Sequence, residues 1–354
     1  MLRNFSKWKK TLAIMLSFMF ILTACGGGDV NDGTGSVDVD GDKIIIGGLA
    51  PLTGSVAIYG VTASNGAKLA FKEINENGGI LGKPVEFLLE DEKGDPTEAV
   101  NAYTKLLDQD IVALLGDITS QPTEAVAEVA KSDNMPMLTP TGTQFNITEG
   151  RDNVFRVCYT DPFQGEVLAK YATEELGAKT AAVLRNTSSD YSDGVGKAFI
   201  DKAEELDIEI VAVESYGEGD IDFRAQLTKV ADLNPDVLVI PDYYEIISLI
   251  APQAREVGIE ATFLGPDGWD GVAKNIDESS YDVIEGSVFT NHYSIDDEDE
   301  RIQNFLANYK KEYGEEASAF AALAYDGAYM LKQSIEEAGS TDSDAIIKAL
   351  KEIE

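Results

Sequence analysis

The sequence predicts an α/β fold made of two lobes, each a doubly wound parallel sheet. Three observations predict it. From Lys43 onward, short apolar runs alternate with segments whose apolar positions recur every third or fourth residue, as strands and helices do in turn. The strand runs are apolar on successive residues, as strands covered on both faces require. The alternation also occurs twice, in a chain of 354 residues that is long enough for two domains.

The elements follow in order. Lys43-Ile44-Ile45-Ile46-Gly47-Gly48-Leu49 is a buried strand, and Val61 to Asn77 a helix with a stripe at Ala63, Ala67, Ala70, Phe71 and Ile74, stopped by Gly78-Gly79. Val85 to Leu89 is the second strand. Asp95-Pro96-Thr97-Glu98 reads as an N-cap, a proline at the first helical position and an acid in the first turn, opening a helix to about Asp108. A strand at Ile111–Leu115, a helix from about Pro122 to Ala130, a strand at Met135–Leu138 and another at Val154–Tyr159 complete the first series. Cys158, in that last strand, reads as a packed thiol. The second series has strands at Ala181–Leu184, Ile208–Val213, Val237–Ile240 and Thr262–Leu264. Its helices are Gly194–Leu206, Phe223–Leu233 and Glu245–Val257. Helical patterns at Arg301–Tyr313 and Phe320–Glu337 come last.

Residues 1–42 stand apart. Arg3, Lys7, Lys9 and Lys10 precede an apolar run from Leu12 to Leu22, too short for a comfortable membrane span and built like a secretory signal. It ends in Leu22-Thr23-Ala24-Cys25, which resembles the bacterial lipoprotein signal. That resemblance implies cleavage before Cys25 and lipidation of its thiol, as by palmitate, and of its new amino terminus. Gly26 to Asp42 has six glycines, five aspartates and little to bury. As a flexible tether it spans roughly 20–25 Å. Asp38-Val39-Asp40-Gly41-Asp42 lacks the ligand spacing of a calcium loop.

Composition excludes several functions. Against 28 basic residues stand 63 acidic ones, a formal net charge of −35, which argues against a nucleic-acid partner and against docking of the folded part on an anionic membrane. Loss of residues 1–24 removes four cations and no anion, and deepens the charge to −39. One histidine, His292, excludes a site needing two imidazoles, and two cysteines allow at most one disulfide. There is no Gly-x-Ser-x-Gly elbow, and no Gly-x-Gly-x-x-Gly follows Leu49. Gly78-Gly79-Ile80-Leu81-Gly82-Lys83-Pro84 has the wrong spacing for a phosphate loop. No catalytic residue, metal or cofactor is therefore expected.

Open parallel sheets bind ligands beyond the carboxyl ends of their strands. The loops there are Ala50–Gly54 with Tyr59-Gly60, Gly116–Thr123, Thr139–Thr143, Asn186–Tyr191, Pro241–Tyr244 and Gly265–Asp270. This chemistry suits a zwitterion. Ser120 opens a helix whose free N–H groups and dipole favour a carboxylate, Thr141 and Thr143 add hydroxyls, and Asp267 can pair with an ammonium group. Each feature has a plainer reading, since N-caps and turns favour the same residues.

Leu49-Ala50-Pro51-Leu52-Thr53-Gly54 with Tyr59-Gly60, Ala70-Phe71, Ile74-Asn75 and Gly78-Gly79-Ile80-Leu81-Gly82 resembles the branched-chain amino acid solute-binding proteins of ABC importers. Asp95-Pro96, Thr139-Pro140, Gln253-Ala254-Arg255 and Gly265-Pro266-Asp267-Gly268 extend the resemblance from Lys43 to the end. The resemblance implies a type I periplasmic-binding-protein fold whose lobes close on an amino acid by hinge bending. It implies no catalysis, delivery to permease subunits, and a monomer on the extracytoplasmic face. It matches Ser120, Thr141 and Thr143 to positions holding the α-carboxylate and helping with the amine, and Asp267 to the acidic partner of the α-ammonium. Tyr59, Tyr191 and Tyr243 match aromatic cleft positions, and Phe320 a side-chain pocket. Thr141 replaces a smaller residue, Asp267 a common glutamate, and Trp269 is expected to intrude on the pocket. The implied lobes are 43–161 with 291–354, and 162–290, the first crossover being placed at Asp161-Pro162. The chain stops within a helix-like pattern where the family continues, and is expected to lack a C-terminal segment. Alternatives are a ligand-binding subunit of a sensor system, or a binder of an amide or urea.

Overall fold

The computed structural model describes residues 43–353. The segment read as a signal sequence, the lipidation expected at Cys25 and the stretch read as an acidic tether lie outside the described residues.

Two five-stranded parallel sheets carry the fold. The first comprises β1 (Ile44–Ala50), β2 (Val85–Asp91), β3 (Ala113–Leu115), β4 (Met137–Thr139) and β5 (Val154–Arg156), with α1 (Ala57–Glu76), α2 (Pro96–Leu107) and α3 (Ser120–Asp133) as crossovers. After α4 (Asp161–Glu174), the second sheet runs β6 (Thr180–Asn186), α5 (Asp190–Glu205), β7 (Glu209–Tyr216), α6 (Arg224–Leu233), β8 (Val237–Val239), α7 (Tyr244–Glu256) and β9 (Thr262–Gly265). The short α8 (Val272–Asn275) and β10 (Val288–Phe289) complete it, and α9 (Glu300–Tyr313), α10 (Ala319–Ala338) and α11 (Ser343–Glu352) return to the first half. The strand orders are β2-β1-β3-β4-β5 and β10-β9-β8-β6-β7, the same topology twice. Each has its switch point beside its first strand, where a crevice opens.

The apolar runs sit where both faces are covered. Ala113, Leu114 and Leu115 of β3 and Val237, Leu238 and Val239 of β8 are all buried. The edge strands β2 and β7 are mostly half-exposed and carry acids, which is why their runs look less apolar. Asp95 caps α2 as its sequence predicts, accepting from the N–H groups of Thr97 and Glu98. Helix α1 packs on α10 at close range: a Cβ added to Gly66 would lie 2.0 Å from the Ala321 carbonyl oxygen.

Three elements differ from expectation. Asp161-Pro162, read as a connection, opens the helix α4, with the proline in its first turn. Tyr191, read as a loop residue, lies in the first turn of α5 behind the N-cap Ser189. Trp269 does not intrude on the cleft: its Nε1–H donates to the Ile240 carbonyl at 2.8 Å and its ring packs near Phe263 in the core. Cys158 is buried as expected, and burial raises its thiol pKa well above the ordinary range.

Candidate functional site

The loops beyond β3 and β4 are tied to each other. Thr139 and Thr141 donate their hydroxyls to the carbonyls of Asp117 and Ile118, each at 2.7 Å. Ser120 is the first residue of α3, and Thr119 before it makes no side-chain cap, so the first-turn N–H groups are left to other partners. The Ser120 N–H points across the cleft to the Tyr243 hydroxyl at 3.5 Å. Thr143 is buried at 1% exposure, and its carbonyl accepts from the Asp161 N–H at 3.0 Å.

Beneath these loops lie two fully buried carboxyl groups, Glu92 and Asp117. Burial raises both pKa values. The Asp117 charge pushes Glu92 further, to about 9, while hydrogen bonds from the Gly94 and Asp95 N–H groups hold it back. Asp117 reaches about 7, held lower by its bonds to the Ile118 N–H and to Glu92. A proton on Glu92 explains how two such groups share one apolar site.

The second sheet supplies the opposite wall. Tyr191 donates its hydroxyl to Asp267 Oδ1 at 2.8 Å and accepts from the Gly268 N–H at 2.9 Å. Its ring stacks on Tyr243 with centroids 4.8 Å apart. Asp267 is 3% exposed, and its Oδ2 lies 3.2 Å from His292 Nε2. Its N–H donates to Gln164 Oε1 at 2.8 Å, and the Thr290 hydroxyl donates to the same oxygen at 2.7 Å. A Cβ at Gly268 would meet the Asp242 carbonyl oxygen at 2.6 Å and the Tyr191 hydroxyl at 2.8 Å, so only glycine fits this approach.

Tyr59 joins the two halves. Its buried hydroxyl donates to the Gly268 carbonyl and accepts from the Tyr244 N–H at 3.0 Å. Its ring stacks on Phe320 at 4.4 Å and meets Tyr243 edge-on at 5.7 Å, giving an aromatic wall that runs from one half into the other. The structure thus brings Ser120, Tyr59, Tyr191, Tyr243, Asp267 and Phe320 together, with Thr141 and Thr143 on the adjoining loop. The Thr141 hydroxyl hydrogen is spent on the Ile118 carbonyl.

Sequence reasoning missed Asp161, Gln164, Tyr159 and His292. Asp161 is 2% exposed. Burial pushes its pKa up to about 8, with the Asp267 charge adding and Thr143, Arg156 and Gln164 opposing. His292 stacks on Tyr159 at 3.8 Å and reaches Asp267. An acid and a proline opening a helix were a legible signal for Asp161. The His292 contact was not legible, because 25 residues separate it from Asp267. Among the described residues no group of three or more His, Cys, Asp or Glu is placed to hold a metal. The arrangement offers N–H groups, hydroxyls and carboxylates around a small polar solute.

Comparison with known proteins gives the family. Residues 43–354 match the model of a periplasmic binding protein family. The Leu/Ile/Val-binding protein BraC3 of Rhizobium johnstonii is 34% identical over 311 residues, covering 87% of this chain and 83% of that protein. A leucine-, isoleucine-, valine-, threonine- and alanine-binding protein of Pseudomonas aeruginosa is 28% identical, covering 90% and 85%. Among solved structures, a leucine-binding protein, LivK, from Thermotoga maritima aligns with a TM-score of 0.81 at 35% identity, covering 87% of each chain. The branched-chain amino acid transporter substrate-binding protein LivJ from Streptococcus pneumoniae, in complex with isoleucine, aligns with a TM-score of 0.82 at 34% identity, covering 87% of this chain and 88% of that one. With a matching model over the whole folded part and two lobes of matching architecture, the chain belongs to the periplasmic binding protein family, as a type I member and a solute-binding protein.

Proposed function

We propose that this protein captures a branched-chain or similar amino acid outside the cytoplasm and delivers it to the permease of an ABC importer. The observation that carries the reading is the cleft itself. A helix N-terminus with Ser120 faces a carboxylate, Asp267, across an aromatic wall, the polarity a zwitterion needs. The names of relatives at 34–35% identity support the same solute class. Ser120 and Thr143 hold the α-carboxylate, Thr141 braces their loop, and Asp267 attracts the α-ammonium. Tyr59, Tyr191, Tyr243 and Phe320 enclose the side chain. The lobes are 43–161 with 291–354, and 162–290; they close on the solute and present the closed form to the permease. Capture requires the Tyr243 hydroxyl to leave the Ser120 N–H, which the solute carboxylate then takes.

The N-terminal segment acts as a lipoprotein signal, with Cys25 as the lipid anchor and the acidic tether as spacer for a monomer at the membrane surface. Among the described residues no helix is long and apolar enough to cross a membrane. Titration calorimetry with the twenty amino acids, urea and an aliphatic amide tests the solute class. Heat from leucine, isoleucine or valine is expected, and binding of an amide or urea alone overturns the reading. Palmitate incorporation in cells, lost in Cys25→Ala, tests the anchor.

A further inference from the structure

Two carboxyl groups that line no part of the cleft lie behind the loop that carries Ser120. Strand β1 ends at Ala50, and the Glu92 N–H donates to the Ala50 carbonyl at 3.2 Å from the β2 side. On the other side β3 leads through Gly116 into Asp117, so the two acids flank the carboxyl end of β1. Both are 0% exposed. Each has one oxygen held by the backbone. Glu92 Oε2 accepts from the Gly94 and Asp95 N–H groups at 2.8 and 3.1 Å, and Asp117 Oδ1 from the Ile118 N–H at 2.5 Å. The other two oxygens, Glu92 Oε1 and Asp117 Oδ2, find no donor while both groups are written as carboxylates, although the side chains lie within hydrogen-bonding reach of each other. One proton between them gives each of these oxygens a partner and leaves the pair with a single charge.

Asp117 is tied to the solute loop through its backbone and its side chain. Its carbonyl accepts from the Thr139 hydroxyl, and the carbonyl of Ile118 from the Thr141 hydroxyl, each at 2.7 Å. Ser120 follows two residues after Ile118 and opens α3. The loop is thus held by threonines from the β4 side and, through Asp117, by Glu92 from the β2 side. We propose that Glu92 and Asp117 are positioning residues for the carboxylate end of the solute, acting through one shared proton, and that solute affinity is linked to that proton. The proposal rests on the amino acid reading of the cleft.

Loss of the proton acts on the solute in two ways. Two adjacent buried carboxylates repel, and their separation shifts the Ile118 N–H that Asp117 holds, and the loop with it. The added charge also stands behind the helix end that receives an anion, and weakens it there. The surroundings bring no compensating cation. On its own segment Glu92 adjoins Asp91, Lys93 and Asp95. Asp91 adds to its burden, the Lys93 ammonium is engaged by Glu98 at 3.2 Å, and Asp95 caps α2. From the β3–α3 loop it faces Asp117, and Asp117 faces Glu92 in turn. Strand β1, between them, carries no titratable side chain. Burial and the Asp117 charge raise the Glu92 pKa to about 9, so the proton stays through neutral pH and leaves above it.

Titration calorimetry of L-leucine, L-isoleucine and L-valine with the wild type and Glu92→Gln, at pH 7.5 and 9.5, tests the proposal. The glutamine amide donates to Asp117 at every pH, so Glu92→Gln is expected to bind like the wild type at pH 7.5. The solute's own amine loses its proton in this range and affects both proteins alike, so the ratio of the two affinities is the readout. At pH 9.5 the wild type is expected to fall roughly four-fold behind Glu92→Gln. The binding stoichiometry counts the folded fraction, so that lost stability does not pass for lost affinity. Infrared spectra of the solute-free wild type at pH 8 are expected to show the carbonyl stretch of a protonated carboxyl group, reduced in Glu92→Gln. A constant affinity ratio in proteins that bind leucine overturns the proposal alone. So does a wild-type spectrum with no protonated carboxyl group, a result that needs no variant to fold. If none of the three amino acids binds the wild type, the solute reading falls and takes the proposal with it.

Discussion

At Asp267 both carboxylate oxygens are engaged inside the protein, one by the Tyr191 hydroxyl and one beside His292 Nε2. Asp267→Ala strips an acceptor from both and removes a buried charge from the solute. Calorimetry is expected to show amino acid affinity weakened by roughly 2–5 kcal/mol; unchanged affinity removes the role given to this residue. Glu92 is a residue of a different kind, because its carboxyl touches only protein. Its native pKa, about 9, lies above its ordinary value of 4.5, and Asp117 is raised likewise. Between those values the native state holds more protons than the unfolded chain, so stability falls as pH rises through the window. Glu92→Gln removes the larger part of this dependence. It is expected to gain roughly 1–3 kcal/mol over the parent at pH 8, and less at pH 5, in urea unfolding. Parallel stability profiles for the two proteins would rule out the shared proton.

Among the elements, α1 reaches from the first half to the second. Its Gly66 packs on α10 within its own half, and its Tyr59 meets the Gly268 and Tyr244 backbone of the other. Tyr59→Phe keeps the stacking on Phe320 and leaves one carbonyl and one N–H of the second half unpaired in the closed form. The cost, roughly 1–3 kcal/mol, falls on closure and not on folding of either half. Solute affinity is therefore expected to drop roughly ten-fold while the melting temperature of the solute-free protein changes little. A large loss of melting temperature with full affinity would mean that Tyr59 serves the core alone. Helix α4 shows how an element escapes a sequence reading. Its Pro162 reads as a breaker, yet proline in a first helical turn costs nothing, because that N–H has no intrahelical partner. Asp161 came into the cleft with that helix start, and was missed with it.

On the scale of the whole molecule, two sheets of one topology place their carboxyl ends against each other, and the solute loops of both halves meet there. Hinge closure predicts a change in shape on binding. Small-angle scattering is expected to show a smaller radius of gyration with a saturating amino acid than without; equal values would remove closure from the mechanism. The net charge of −35 takes no direct part in this. Most ion pairs are exposed and contribute little each, and the carboxylates that matter to the cleft are the few that are buried.

The sequence by itself determined the α/β class, the double strand–helix series, most element positions and the loops that hold the cleft residues. These are local properties: apolar runs, helical periodicity, caps and turn glycines are written in neighbouring residues. Its family-like segments also pointed to Ser120, Asp267 and the tyrosines. Only the tertiary structure decided which side chains meet. Gln164 bonds the Asp267 N–H across 103 residues, Tyr59 reaches Gly268 across 209, and Trp269 turns from the cleft into the core. It also decided that Glu92, Asp117 and Asp161 are buried, which raises the pKa of each. Burial and long-range pairing set the energy of a carboxyl group, and neither is carried by the residues beside it in the chain.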